Sequence, residues 1–370
     1  MRLCTIIFCV LLSAFLPTGA GATSIYNLVL VGERVESGDV RAIALGGSAQ
    51  LVPDSLGVLY SNPALLSRTR LVTLGATQIL ALDETRSDEY TERDNSFIFP
   101  ALRIAFPIMD LFVISAGYVS RYDPGGSFVV DGETESGDQY VQRFTKSGGL
   151  FSIPLVVSAD ITKYVSAGLV FAFEEGNVEE RWDTEFEDPS FAPGAGFQTA
   201  DLSGTSYGGG LVLRPFESLM IGGSYESKVD YDAEVNRVFT TSSLDTSFTG
   251  TGTLPARASL AASWGIGPWL FLGSYVWSDF AGEFQGLDFP PDRLSKETTL
   301  ALGVEYDGVP IGSRTLPIRV SFNYEELPFD YPRGHTVTKW LAGIGTGIIV
   351  RDGHAKFDFA IQAGKVGSLN

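Results

Sequence analysis

The sequence predicts an all-β fold: a transmembrane antiparallel β-barrel of about fourteen strands with an N-terminal segment inside its lumen. Three observations predict it. From Leu71 onward, segments of about ten residues recur between turn signals, many alternating apolar and polar residues. The connections between them alternate short and long. The 370 residues hold 42 Gly, 25 Phe and 14 Tyr, yet no apolar run after the N-terminus is long enough for a spanning helix.

Residues 1–22 read as a secretory signal, with basic Arg2, an apolar core from Leu3 to Leu16, and the small-residue site Ala20-Gly21-Ala22. Both cysteines, Cys4 and Cys9, fall inside it, so a processed chain has no disulfide and no thiolate metal site. Cys9 lies too deep in the apolar core for a lipid-attachment cysteine. The net charge of −18 disfavours nucleic acid as a partner. The acids gather in blocks, Asp83 to Asp94, Asp131 to Asp138 and Glu174 to Asp188, expected as solvated loops.

Residues 23–70 do not alternate. Asn62-Pro63-Ala64 is a helix start, because Asn caps and Pro fits the first turn, where its missing N–H costs nothing. Gly46-Gly47 permits positive φ or close backbone packing. A barrel of this size has a lumen wide enough to need filling, and the segment reads as a plug of short helical turns. The expected organisation is therefore signal 1–22, plug 23–70 and barrel 71–370.

Thirteen strands are expected, at about 71–82, 97–106, 111–121, 144–158, 163–173, 204–213, 217–228, 254–264, 268–280, 297–307, 315–326, 338–350 and 354–364. In the eleventh, Leu316, Ile318, Val320, Phe322 and Tyr324 share one face, and Arg319, Ser321, Asn323 and Glu325 the other. Short links such as "PIMD", "ADIT", "RPFE" and "GIGP" alternate with long acidic stretches at 83–96, 122–143, 174–203, 229–253, 281–296 and 327–337. A sandwich gives no reason for that alternation, whereas an outer-membrane barrel has short turns at one rim and long loops at the other. Trp264, Trp269, Trp277, Tyr306, Tyr324 and Trp340 sit near strand ends, where interfacial girdles belong. Thirteen is odd, and single-chain barrels are normally even, so either a fourteenth strand is missing from the end of the sequence or the count is off by one.

The stretch "VRAIALGGSAQLVPDSLGVLYSNPALL" resembles the N-terminal hatch of the FadL-type outer-membrane transporters of long-chain fatty acids and other hydrophobic compounds. The matching positions are Gly46, Gly47 and Ala49, then Asp54, then Asn62, Pro63 and Ala64. "LPARASLAASW", "YVWSDF", "LPIRVSFNYEELPF" and "AKFDFAIQAGKVGSL" extend the resemblance over nearly the whole mature chain. The chain departs from the family at Pro53-Asp54, where an acidic pair is common, at Leu65, where Gly is usual, and in lacking a closing strand.

The resemblance implies passive uptake of a hydrophobic small molecule, gated by the hatch, with no cofactor. It also implies a monomer surrounded by outer-membrane lipid and lipopolysaccharide. Phe186, Phe191, Phe197, Phe239 and Phe248 are candidate capture residues in the long connections, or local packing. Arg103, Arg257 and Arg319 fall on polar strand faces, where each could pair with a ligand carboxylate or with a lumen acid. Gly117 and the following Asp123-Pro124-Gly125-Gly126 would allow the third strand, Leu111 to Arg121, to bend into a lateral opening, which the sequence alone does not decide. The alternative is a secretion-system shuttle of the same superfamily that binds cargo proteins. Catalysis is not expected: Gly204-Thr205-Ser206-Tyr207-Gly208 matches G-x-S-x-G, but it opens a strand instead of a strand-to-helix elbow. The only histidines, His335 and His354, are isolated, so no metal site is expected either.

Overall fold

A computed structural model of the chain describes residues 32–368 except 37, 48–49, 55, 58–60, 87–90, 110, 135, 241–244, 281–283, 286–294, 312–313, 331–335 and 351–354. The expected signal segment, both cysteines and both histidines lie outside the described residues.

Among the described residues there are eighteen strands. Strand β1 (Glu33–Arg34), helix α1 (Val40–Ala44) and a 3-10 helix (Pro63–Arg68) come first. Next are β2 (Thr73–Arg86), β3 (Thr91–Ile108), β4 (Phe112–Asp123), β5 (Gly126–Glu133), β6 (Gln139–Thr162), β7 (Val165–Phe186) and β8 (Gly194–Phe216). Then follow β9 (Leu219–Glu226), β10 (Val229–Phe239), β11 (Thr246–Leu254), β12 (Arg257–Ile266), β13 (Trp269–Asp279) and β14 (Phe284–Gln285). The last four are β15 (Lys296–Ile311), β16 (Arg314–Asp330), β17 (Thr336–Val350) and β18 (Ala355–Ser368).

Antiparallel ladders join β2, β3, β4, β6, β7, β8, β9, β12, β13, β15, β16, β17 and β18 in that order. Each of these strands overlaps one segment read from the sequence. Among the described residues the series holds thirteen strands, without a closing ladder between β18 and β2.

The long connections correct the sequence reading. Most of 122–143, 174–203 and 229–253 is strand instead of loop. β6, β7 and β8 run for 24, 22 and 23 residues; β5 pairs onto the upper end of β6, β10 onto that of β8, and β11 onto β10. Crossing a bilayer takes only about ten residues, so half of each long strand stands beyond it as a wall.

The faces are arranged for lipid. Val320 is 54% exposed and Ile361 73%, while Arg319 is 2% and Glu305 4% exposed. Apolar residues outward and polar residues inward reverse the order of a water-soluble sheet. Trp269 and Trp277, 45% and 46% exposed, mark two levels on β13. Their spacing along the strand corresponds to about 20 Å across the membrane at a tilt near 40°, close to the expected apolar band.

The sheet is rolled. Tyr122, Leu150, Val178, Val229 and Tyr231 from one side meet Phe280, Leu327 and Val337 from the other in one buried cluster. Below it, the described residues between Gly38 and Arg70 lie against the concave side. Ala42, Leu45, Leu51, Val52, Ala64 and Leu65 pack there with Val212, Met220, Ala261 and Leu272 of the wall. Thr77 of β2 donates to the Gly38 carbonyl at 3.2 Å, and Gln362 of β18 donates to the Ile43 carbonyl at 3.0 Å. The inner segment thus bridges the first and last strands of the series.

Candidate functional site

The inner segment owes its shape to local chemistry. Asp39 caps α1 by accepting from the Ala42 N–H at 2.9 Å, and Asn62 caps the 3-10 helix by accepting from the Ala64 N–H at 3.1 Å. Pro63 occupies the first turn, as expected, but the turn is 3-10 rather than α. Gly46 and Gly47 have φ of +110° and +121°, which a side chain rarely tolerates.

The wall is notched to receive this segment. The Asn62 side-chain amide donates to the carbonyls of Gly223 at 3.2 Å and Leu211 at 3.4 Å, and Ser158 donates to the Ala64 carbonyl at 3.2 Å. A Cβ on Gly168 would stand 2.5 Å from the Pro63 carbonyl carbon, and one on Gly303 would stand 2.1 Å from the Leu45 oxygen. Two glycines on opposite walls therefore leave room for backbone.

Six alternating charges close a ring at the lower end. Arg41 meets Asp54 at 3.4 Å and Glu305 at 3.0 Å. Arg319 meets Glu305 at 2.6 Å and Asp358 at 2.7 Å. Lys356 meets Asp358 at 2.9 Å and returns to Asp54. Two members belong to the inner segment and four to β15, β16 and β18. Burial alone would raise the Asp54 carboxyl, but Lys356 and Arg41 overcome it and hold Asp54 well below the ordinary carboxylate range. Asp54 therefore contributes fully above its unfolded value near pH 4, and loses that contribution only as pH falls through the lowered one. The melting-temperature gap between wild type and Asp54→Asn is expected to be constant from about pH 7 to pH 5 and to shrink below about pH 3. Calorimetry on the detergent-solubilised protein checks this.

Sequence reasoning missed Arg41, Glu305, Asp358 and Lys356. The signal that could have found part of the ring is Glu305 opposite Arg319 in the β15–β16 ladder. Of the two roles open to Arg319, the structure shows pairing with lumen acids: its donors go to Glu305, Asp358 and the Thr346 carbonyl. Arg103 is buried on β3.

Above the ring lies a cavity of about 90 Å³, lined by Arg34, Arg121, Arg257, Glu226, Ser61, Pro63 and other small side chains. Glu226 stands opposite Arg257 in the β9–β12 ladder but is taken by Arg121 and by Arg34, the latter at 3.7 Å. The Arg257 Nε is buried with no hydrogen-bond partner among the described residues. Ser206 is no nucleophile in an elbow: it is buried in β8 and donates to Glu174 at 2.6 Å.

At the mouth, aromatic rings line the inward face of the tall wall. Phe128 and Phe144 are 5.2 Å apart, and Phe144 and Trp182 are 5.6 Å apart. Phe239 continues the row across Gly196, and Phe186 packs on Phe191 at 5.3 Å. The fold thus gathers Phe186, Phe191, Phe239 and Phe248 on one side of the wall. Phe197 is corrected: it falls on the opposite parity of β8, among outward residues. The ladder between β4 and β6 skips Gly117 and Tyr118 opposite Pro154, which has no N–H, and shifts register at Ser120/Tyr122. The third strand itself is continuous and stays paired with β3 through Gly117 and Tyr118, so the gap is confined to its ladder with β6.

A family model described as BamG matches residues 1–252. No curated protein matches the chain. Among solved structures, a Pseudomonas aeruginosa FadL homologue is 13% identical, with 91% of each chain covered and a TM-score of 0.58. A TodX deltaS2S3 mutant, described as a monoaromatic hydrocarbon channel, is 16% identical over 87% of this chain and 92% of that one, with a TM-score of 0.53. The Ralstonia pickettii toluene transporter TbuX is 12% identical over 90% and 98%, with a TM-score of 0.51. At these identities the likeness is one of fold, and the fold is FadL-like.

Proposed function

The chain belongs to the BamG family, and from that premise and its FadL-like fold we propose that it is an outer-membrane channel for passive entry of hydrophobic small molecules. The inner segment 38–70 acts as a hatch. One observation supports the reading: a lipid-facing sheet is rolled around a segment that is fastened to its wall by a buried ring of ion pairs and by side-chain hydrogen bonds in addition to an apolar cluster. A permanent structural plug has no need of a buried ionic ring, because well-packed apolar residues stabilise at least as well.

The route starts at the mouth. Phe128, Phe144, Trp182, Phe186, Phe191 and Phe239 offer apolar surface to a solute leaving water. It continues past the buried apolar cluster to the Arg257 cavity, where a carboxylate headgroup would supply the acceptor that Nε lacks. The gap in the β4–β6 ladder gives a side exit into lipid. Phe191 and Phe239 are capture residues, and Asn62 and Asp54 hold the gate.

The test is uptake of labelled oleate and of labelled toluene by cells that lack their own transporter and express the complete gene. An Asn62→Ala, Pro63→Ala variant runs alongside at matched surface level. Uptake above background that changes in the variant is expected. A folded, surface-located barrel that takes up neither compound would overturn the reading. Arg257→Gln is expected to weaken binding of a long-chain carboxylate about 10-fold to 100-fold, the worth of a charge-assisted hydrogen bond. Binding of the matching alkanol is expected to stay unchanged, which titration calorimetry would measure.

A further inference from the structure

The gap between β4 and β6 has an inner and an outer side, and the two are built differently. The ladder pairs Ala116 with Leu155 and Val119 with Ser152, and it pairs neither Gly117 nor Tyr118 between them. By contrast, β6 and β7 pair without a break across the same level, from Leu150 with Gly176 to Ala159 with Ala167. Strand parity puts Gly117 and Pro154 on the lumen side with buried Val119 and Ser152, and Tyr118 and Ile153 on the lipid side.

On the lumen side, Val119, Ser152 and Pro154 line the cavity that also holds Arg257. The cavity therefore reaches the wall at the level where β4–β6 pairing stops. On the lipid side, rings cover that level. Tyr118 stacks on Phe99 of β3, with centroids 6.3 Å apart, and meets Phe151 of β6 at 5.3 Å. The trio thus spans β3, β4 and β6. All three rings are half-buried, while Leu155 and Phe173 beside them are 48% and 46% exposed to lipid. A ring that serves only as an interfacial anchor has no need of such cover. A tyrosine ring turns about two side-chain torsions, so it can leave the gap without moving either strand.

We propose that Tyr118 is the shutter of the side exit. With its ring against Phe99 and Phe151, the cavity is closed to lipid. With the ring turned away, an apolar chain passes between β4 and β6 into the bilayer. Phe99 and Phe151 position the ring, and Gly117, which has no side chain, leaves the lumen side of the gap clear. The direction of traffic rests on the entry reading above, whereas the closure is a property of the wall alone.

The experiment uses the processed chain, which has no native cysteine once residues 1–22 are lost. Val119→Cys supplies a reporter in the cavity lining, and the protein is reconstituted in phosphatidylcholine vesicles. Pyrenyl maleimide dissolved in the bilayer reads access from lipid, and a charged methanethiosulfonate reads access from water. Tyr118→Ala is expected to speed the pyrenyl maleimide reaction about tenfold, the worth of two ring contacts, and to leave the methanethiosulfonate reaction unchanged. Tyr118→Phe keeps the ring and is expected to match the parent. Phe171→Ala removes an exposed lipid-facing ring from β7, where pairing is unbroken, and is expected to match it too. An unchanged rate in Tyr118→Ala would overturn the proposal, as would equal acceleration in Phe171→Ala or acceleration of the water-borne reagent alone. Uptake by the same variants separates the two readings. Acceleration in a barrel that takes up neither oleate nor toluene keeps the shutter and overturns entry. Uptake with an unchanged labelling rate keeps entry and overturns the shutter.

Discussion

Asp54→Asn is expected to unseat the inner segment while leaving the sheet folded. The substitution keeps the shape but removes one of three negative charges from the ring. Lys356 and Arg41 then share Asp358 and Glu305 with Arg319, and a net positive charge stays buried. Removing one partner of a buried ion pair costs about 3 kcal/mol. That cost falls on the seated state alone, because the released segment hydrates its charges. A thiol reporter at buried Ser67 reads the change. Any processed chain that has lost residues 1–22 carries no native cysteine. Labelling of Ser67→Cys by a maleimide is expected to accelerate by about two orders of magnitude in the Asp54→Asn background, as the opening equilibrium shifts by that cost. Adding Lys356→Met removes the stranded cation and leaves two acids with two bases, so most of the protection should return. Unchanged labelling in the single variant would show that the ring does not hold the segment.

The same ring shows where sequence reading stops. Asn62 capping was legible because Asn, Pro and Ala act through adjacent residues, and the structure repeats that contact at 3.1 Å. The crossing strands were legible because lipid on one side and a polar lumen on the other impose a period of two. The ring was not, because Asp54 and Lys356 are 302 positions apart and meet only through the register of the whole sheet. The long connections misled for a different reason. Their acids and glycines look like loop, yet Val178, Ala200, Leu202, Val229 and Val235 keep alternating inward, and pairing continues far above the membrane. Phe197 was read with Phe186 on composition alone. Strand parity, which places them on opposite faces, was available in the sequence once those stretches were taken as strands.

Gly303→Ala is expected to exclude the α1 end of the inner segment from its seat, by sterics instead of charge. A Cβ at this position would stand 2.1 Å from the Leu45 oxygen and 2.9 Å from its carbonyl carbon. Both are backbone atoms, and no side chain can rotate out of the way. The strand cannot yield either, because Gly303 is paired with Leu272 on one side and Ser321 on the other. Leu45 is equally held, between the Ile43 carbonyl bonded to Gln362 and Gly46 at φ +110°. Overpacking of this kind costs about 1–3 kcal/mol where neighbours can adjust, and more where they are backbone. Gly75→Ala makes the same chemical change in β2, where an added Cβ meets nothing within 4 Å. It is expected to behave as wild type, and Gly303→Ala is expected to expose an Ala42→Cys reporter to maleimide while the barrel keeps its heat-resistant electrophoretic mobility. Ring and notch act on the same few residues around Leu45 and Asp54, one by attraction and one by vacancy. If the segment is a gate, both variants raise uptake of a small apolar solute. If it is only a brace, both lower the melting temperature and leave uptake unchanged.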